Sequence, residues 1–350
     1  MKHRISKKSR RYNPAERYKK RFTRIWCLIS VSVIVLWTLW TLLDAFVIPR
    51  DIVTIETASQ EGTVSSTEGE DSKGESEEEV NIEGEHGSEG TESEEEPPRE
   101  PLTDPVITDT SYDDGEIYIE ISYMRTLDTD VYIADILVND PACLKTALAE
   151  GSFGRNLTDT TSNIAEQNGA ILAINGDYYG FRDSGYVMRN GYLYRSTPAK
   201  DPEQEDLVLY EDGSVRILRE SEYTAEEIRD SGASDIFSFG PGLVIDGEIS
   251  VEGDDEVERA QVTNPRTGFG LVSPLHYIFV VSDGRTDEST GLSLLELAEL
   301  MKGLGCVTAY NLDGGGSSTM WFNGKVLNRP TTFGDTIAER SVSDIVYIGK

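Results

Sequence analysis

Cys306–Thr319 reads CVTAYNLDGGGSST. A short apolar run, Cys306 to Asn311, leads into Leu312, Asp313, three consecutive glycines and the hydroxyl side chains of Ser317, Ser318 and Thr319. Such a run predicts a strand. Gly314, Gly315 and Gly316 fill no core and lose conformational freedom on folding, so together they imply a close approach of backbone to something else. Just upstream, Ser293 to Gly303 predicts a helix: Ser293 and Glu296 make a capping box, and Leu294, Leu297, Ala298 and Met301 share one face.

An earlier stretch echoes this unit. Leu157 to Gln167 predicts a helix that closes at Asn168-Gly169, where a positive φ costs little. It leads into AILAIN, Ala170 to Asn175, then Gly176, Asp177, Tyr178 and Tyr179. Both strands finish in Asn-x-Asp. Set side by side, their ends would bring Asn175, Asp177, Asn311 and Asp313 to one surface, and loops at strand ends commonly carry chemistry. Elsewhere Asn190-Gly191, Asp212-Gly213, Asp246-Gly247 and Asn323-Gly324 each sit between alternating apolar runs and predict hairpins. From residue 105 to residue 350 the expected fold is α+β, hairpin-rich mixed sheets with a few packed helices, in one domain.

The chain before this domain is of a different composition. Lys2 to Arg24 carries eleven Lys and Arg against the single acid Glu16. Ile25 to Leu43 then has no charge, long enough at about 1.5 Å per residue to cross a hydrocarbon core of about 30 Å. It is longer than the apolar part of a cleavable leader and lacks a small-residue cleavage site, so residues 25–48 are expected to be one retained transmembrane signal-anchor helix. Positive charge is kept on the cytoplasmic side, which puts the basic tail, residues 1–24, inside the cell and the C-terminal domain outside. Residues 49–104 are dominated by Glu, Ser, Gly and Thr and predict a disordered acidic linker, which contains much of the net charge of −31. Nothing in this pattern calls for nucleic acid.

The domain holds one histidine, His276, inside the apolar strand LHYIFVV, which excludes a His-rich zinc site and leaves a Ser-His-acid triad little to use. The DGGGSST run has neither the flanking glycine of a G-x-S-x-G elbow nor the lysine of a P-loop. What remains are carboxylates, arginines, amides, hydroxyls and glycine backbone, an inventory suited to sugar and phosphate: carboxylates act at an anomeric carbon, and guanidinium forks match phosphate oxygens. Asp177, Asp283 and Asp313 are oxygen donors of the type calcium or magnesium prefers, but there is no EF-hand-like loop and no metal is assigned. Cys143 and Cys306 are expected as two buried thiols, although an oxidising exterior would permit a disulfide.

AINGDYYG, RNGYLYR, NPRTGFG, FVVSDGR with the helix after it, YNLDGGGSSTM with its NGKVLNRP hairpin, and ERSVSDIVYI follow one another between Gly151 and Ile348. In that order they resemble the phosphodiester glycosidase family. The resemblance implies removal of a sugar from a sugar-1-phosphodiester, and its bacterial branch is associated with exopolysaccharide and the cell envelope. Position by position it points to Asn175, Asp177, Arg266, Asp283, Asn311, Asp313, Ser317, Ser318, Glu339 and Arg340, although many relatives read Asn-Gly-Gly where this chain has Asn175-Gly176-Asp177. The expected roles are catalysis by Asp313 with Asp177 or Glu339 as its partner. Substrate binding falls to Asn175, Arg266, Asp283, Asn311, Gly314, Gly315, Gly316, Ser317, Ser318 and Arg340. The expected substrate is a surface or exopolysaccharide glycan, and the alternatives are a non-catalytic module for anionic wall polymers and a structural envelope protein on an acidic spacer.

Overall fold

The computed structural model describes residues 99–251, 263–332 and 336–350. The basic tail, the apolar span and the linker up to residue 98 lie outside the described residues. Among those described, no helix is long and apolar enough to cross a membrane. The charge pattern carries the spacer to residue 104, yet Arg99 is already tied to the domain. Its guanidinium pairs with Asp113 at 2.6 Å, and Leu102 N–H donates to the Asp114 carbonyl.

Every strand pairing among the described residues is antiparallel, where mixed sheets were expected. The cause is local: hairpins join most sequence neighbours, and hairpins make antiparallel pairs. All four turn signals form hairpins. At Asn190-Gly191, Asp246-Gly247 and Asn323-Gly324 both turn residues have φ between 43° and 84°, the left-handed region that a two-residue turn of matching twist requires.

The largest sheet has nine strands, and its centre runs Thr129–Val138, His276–Ser282, Thr267–Ser273 and Thr308–Leu312. These strands are buried on both faces, and their period of two divides them cleanly. Tyr277, Phe279 and Val281 enter a core shared with the other large sheets, while Ile278 and Val280 face the helix Leu294–Gly303. That helix has both capping-box bonds and buries Leu294, Leu297, Ala298 and Met301. Gly270 lets it come close: a Cβ there would lie 2.5 Å from Cys306 Sγ and 2.6 Å from Met301 Cε.

A second sheet of five strands contains Glu205–Tyr210, Ala233–Phe237 and Val187–Arg189; a third contains Met320–Phe322, Leu172–Asn175, Asp344–Ile348 and, at its edge, Leu144–Leu148. The helix on the third sheet is Thr161–Gln167, shorter than expected at its start. Thr160 caps it from an extended conformation, and Asp159 is bridged to Val342 instead of entering the helix. Ile164 and Ala165 pack on Ala173, Trp321 and Ile345. Cys143 and Cys306 are both free, Cys143 half-buried and Cys306 buried, and burial pushes the Cys306 thiol up to about 12.

The two echoing strands belong to different sheets, Thr308–Leu312 to the first and Leu172–Asn175 to the third. The chain passes from one sheet to the other through Asp313–Thr319, so the glycine run is the corner between them.

Candidate active site

At that corner the two strand ends meet. Asp313 N–H donates to the Gly176 carbonyl at 3.3 Å, and Asn175 Nδ2 donates to the Asp313 carbonyl at 2.6 Å. Asn175 Oδ1 accepts from Thr267 Oγ1 at 2.8 Å and from Thr319 N–H at 3.3 Å. One fully buried amide thus fastens three segments around Asp313, satisfying its own polar groups as it does so.

The glycine run is hemmed on several sides. A Cβ on Gly314 would lie 2.8 Å from the Pro265 carbonyl oxygen, and one on Gly316 would lie 3.0 Å from Thr332 Oγ1. Gly315 has φ +65°, and a Cβ on it would lie 2.7 Å from Arg285 Nη2. Backbone conformation and the guanidinium beside it both demand glycine there.

Arg340 closes the cluster. Its Nη2 pairs with Asp313 Oδ2 at 2.7 Å and donates to Ser317 Oγ at 2.6 Å, while Nε donates to the same hydroxyl oxygen at 2.9 Å. Burial raises the Asp313 carboxyl above its ordinary value, with Arg340, the Ser317 hydroxyl and the Gly314 N–H pulling the other way. The Asp313 side chain is 10% exposed and that of Arg340 38%, so the pair opens to solvent on the arginine side.

Arg285, which the sequence reading passed over, is the second cation here. It has φ +62°, its Nε donates to Asn264 Oδ1, and its Nη groups make no hydrogen bond to any described residue. Partial desolvation lowers its guanidinium, Arg340 lowers it further, and Asp313 opposes both. Two guanidiniums beside one carboxylate leave an excess of positive charge, which suits an anion. The signal for Arg285 in the sequence was its place right after an apolar strand, at the end of Ser282-Asp283-Gly284-Arg285.

The other expected site residues have partners of their own. Asp177 lies in a closed ionic cluster: its Oδ2 is 3.0 Å from Arg189 Nη2, which is also 2.7 Å from Asp344 Oδ2, and all three side chains are fully buried. Asp177 also accepts from Tyr179 N–H and Ser238 N–H. Glu339 accepts from Ser162 N–H at 3.0 Å and from Ser162 Oγ at 2.6 Å, in the first turn of the helix Thr161–Gln167. Asp283 takes Arg329 N–H at 2.8 Å and Asn328 Nδ2 at 3.2 Å, and burial raises its carboxyl. Arg266 donates from Nε to the Leu292 carbonyl, and Asn311 from Nδ2 to the Gly240 carbonyl. Ser318 is fully buried, and its hydroxyl makes no hydrogen bond to a described residue. Asp313, Gly314, Gly315, Gly316, Ser317 and Arg340 are therefore brought together with Asn175, while Asp177, Glu339, Asp283, Arg266 and Asn311 engage other groups. Among the described residues no three His, Cys, Asp or Glu side chains are grouped to hold a metal ion, so Asp177, Asp283 and Asp313 do not form a shared oxygen cage. His276 hydrogen-bonds Asp135 Oδ1 at 2.7 Å from the start of its strand.

Known proteins resemble the chain in sequence and in fold. Over 201 residues the chain is 30% identical to the SPbeta prophage-derived uncharacterized protein YomE of Bacillus subtilis (strain 168), covering 56% of this chain and 30% of that protein. Over 215 residues it is 28% identical to the Mus musculus N-acetylglucosamine-1-phosphodiester alpha-N-acetylglucosaminidase, covering 55% and 40%. The chain thus spans less than half the length of either relative. In fold it is similar to the zebrafish N-acetylglucosamine-1-phosphodiester alpha-N-acetylglucosaminidase catalytic domain, auto-inhibited by its pro-peptide. There the TM-score is 0.54 at 20% identity, over 67% of this chain and 83% of that one. The phosphodiester glycosidase family model matches residues 168–349, more than half of the chain, and the chain belongs to that family.

Proposed function

We propose that the domain hydrolyses a sugar-1-phosphodiester bond, with Arg340 and Arg285 holding the phosphate and Asp313 acting at the anomeric carbon. The observation that carries this reading is the Asp313–Arg340–Ser317 cluster, a desolvated carboxylate that shares its guanidinium with solvent. A leaving phosphate needs its developing charge neutralised more than it needs a proton, and fixed guanidiniums supply that without reorganising. Burial makes Asp313 more basic, so it takes a proton from the attacking water. The water oxygen bonds to the anomeric carbon, the bond from that carbon to the phosphate oxygen breaks with its electron pair on the oxygen, and the second water proton stays on the sugar hydroxyl. The name of the mouse relative supports a sugar-1-phosphodiester as substrate.

Lys2 to Arg24 and the uncharged run after it support a domain held outside the cytoplasmic membrane by one span, acting on surface or exopolysaccharide glycan. The test is release of free sugar from a panel of sugar-1-phosphodiesters. The wild-type chain turns over, and a folded Asp313→Asn variant does not; equal turnover by the two removes Asp313 from the chemistry.

One observation favours a second reading, a non-catalytic module for anionic wall polymers. Asp177 and Glu339 are engaged by Arg189 and Ser162, which leaves Asp313 as the one expected carboxylate at Arg340. That reading predicts glycan held intact through long incubation, with binding that weakens as salt rises.

A further inference from the structure

A recess of about 370 Å³ opens where the second sheet meets the edge strand Leu144–Leu148 of the third, and none of its lining residues belongs to the Asp313 cluster. It is built by specific contacts. Asp235, only 4% exposed, accepts on Oδ1 from Thr146 Oγ1 at 2.6 Å and from Asn190 N–H at 3.0 Å. Asn190 in turn donates from Nδ2 to the Thr146 carbonyl, and Gly191 N–H donates to the Ser234 carbonyl, so the Asn190-Gly191 hairpin is fastened across the seam. Asp235 Oδ2 accepts no hydrogen bond from a described residue, and the Lys145 ammonium has no ion pair or hydrogen bond among them, although both residues line the recess.

We infer that this recess is a second carbohydrate site, taking a neutral or amine-bearing sugar unit rather than a phosphate. Its volume lies within the range of about 300–1,000 Å³ usual for small-molecule sites. Its lining is amphipathic in the way a sugar ring is. Leu144 and Leu209 offer an apolar surface to ring C–H groups, while Asp235, Lys145 and Asn190 offer acceptors and donors to hydroxyls. The charge balance sets the class of ligand: the lining carries Asp140, Glu211 and Asp235 against Lys145, and the buried Arg189, which acts electrostatically on Asp235, does not line it, so a phosphate is repelled where a hydroxyl or ammonium is accepted. The Arg285–Arg340 site has the opposite balance, and a polymer of sugar and phosphate units would meet a complementary surface at each place.

Hydrogen–deuterium exchange of the full chain in detergent, read by peptide, tests this with methyl glucopyranoside, glucosamine and glucose 1-phosphate as probes, and calorimetry gives the affinities. Methyl glucopyranoside and glucosamine are expected to slow exchange at Asn190–Gly191 and Ser234–Asp235 with Kd on the order of 1 mM, and glucose 1-phosphate to act there at least ~10-fold more weakly. Ala142→Trp, on an exposed residue at the mouth, should abolish that protection. Asp235→Asn should weaken glucosamine more than methyl glucopyranoside. Sugars that give no protection, equal protection in both variants, or glucose 1-phosphate as the strongest probe would each overturn the inference. Asp313→Asn leaves this binding intact, which separates the fate of the recess from that of the proposed hydrolysis.

Discussion

The two Asn-x-Asp strand ends begin alike and finish in opposite environments. Asp177 turns inward to Arg189, a guanidinium with no exposed surface, and shares it with the equally buried Asp344. Asp313 turns to Arg340, whose side chain remains 38% exposed. A charge pair sealed on all sides cannot exchange partners, whereas one whose cation reaches solvent can pass that cation to an incoming anion. The route from the arginine to solvent separates a structural acid from a chemical one here, and the local motif does not.

The sharpest way to break this comparison is to neutralise each acid in turn. Asp313→Asn is expected to lower turnover of a sugar-1-phosphodiester by about 10²–10⁴-fold, the usual contribution of a positioned proton acceptor, with little change in the urea midpoint. Asp177→Asn should do the reverse, with turnover per folded molecule retained and stability lost. If Asp177→Asn abolishes turnover in a folded protein, the sealed cluster takes part in the chemistry and the contrast fails.

Arg189→Met comes next in size. It leaves Asp177 and Asp344 facing each other without a cation, and breaking a buried pair in this way costs about 3–5 kcal/mol. Its guanidinium also donates to the Met188 and Ile236 carbonyls and stacks 3.7 Å from the Phe237 ring centroid, so packing is lost along with charge. Urea titration reads the effect; a loss below about 1 kcal/mol would mean that the two carboxyls accommodate each other by protonation alone.

The same cluster makes stability depend on pH. Burial raises the Asp344 carboxyl, Asp177 and Asp235 add to the rise, and Arg189 opposes it. In the unfolded chain an aspartate releases its proton near 3.9, whereas folded Asp344 keeps it to a higher pH. Between those two values the folded form binds more protons, so stability falls as pH rises, by up to about 1.4 kcal/mol per unit. Asp344→Asn cannot titrate and should flatten that decline in thermal midpoints measured across the window; an unchanged slope would assign the decline to other carboxyls. Asp206 is one such group, raised by burial and by Glu220 beside it.

The hairpins and the helix Leu294–Gly303 could be read from sequence because turn chemistry, caps and period-two alternation are local. The meeting of Asn175 with Asp313 was foreshadowed by the repeated Asn-x-Asp, yet nothing local shows that the two strands lie in different sheets. Arg189 was hidden for another reason: an arginine in a short hairpin strand looks solvated until Asp177 and Asp344, 12 positions before and 155 after it, are known to surround it. Arg285 was hidden because its role depends on the missing Cβ of Gly315, a steric fact that only coordinates contain. Glu339 stands beside Arg340 in sequence and was expected beside Asp313, but the backbone turns it to the helix Thr161–Gln167.

Glu339 therefore supplies the smallest and most discriminating test. Its carboxylate accepts both the backbone N–H and the hydroxyl of Ser162, in the first turn of the helix, where the unsatisfied N–H groups and the positive end of the dipole favour negative charge. Glu339→Gln keeps the length and one acceptor oxygen but removes the charge, so it should cost about 0.3–1 kcal/mol in urea denaturation. Turnover should stay at the wild-type level, because Arg340 N–H remains anchored on the Gly316 carbonyl and its guanidinium on Asp313. A collapse of turnover with stability nearly unchanged would show that this carboxylate leaves Ser162 during the reaction. Asp313 would then have a catalytic partner, and the comparison would have to be redrawn between two acids at one arginine.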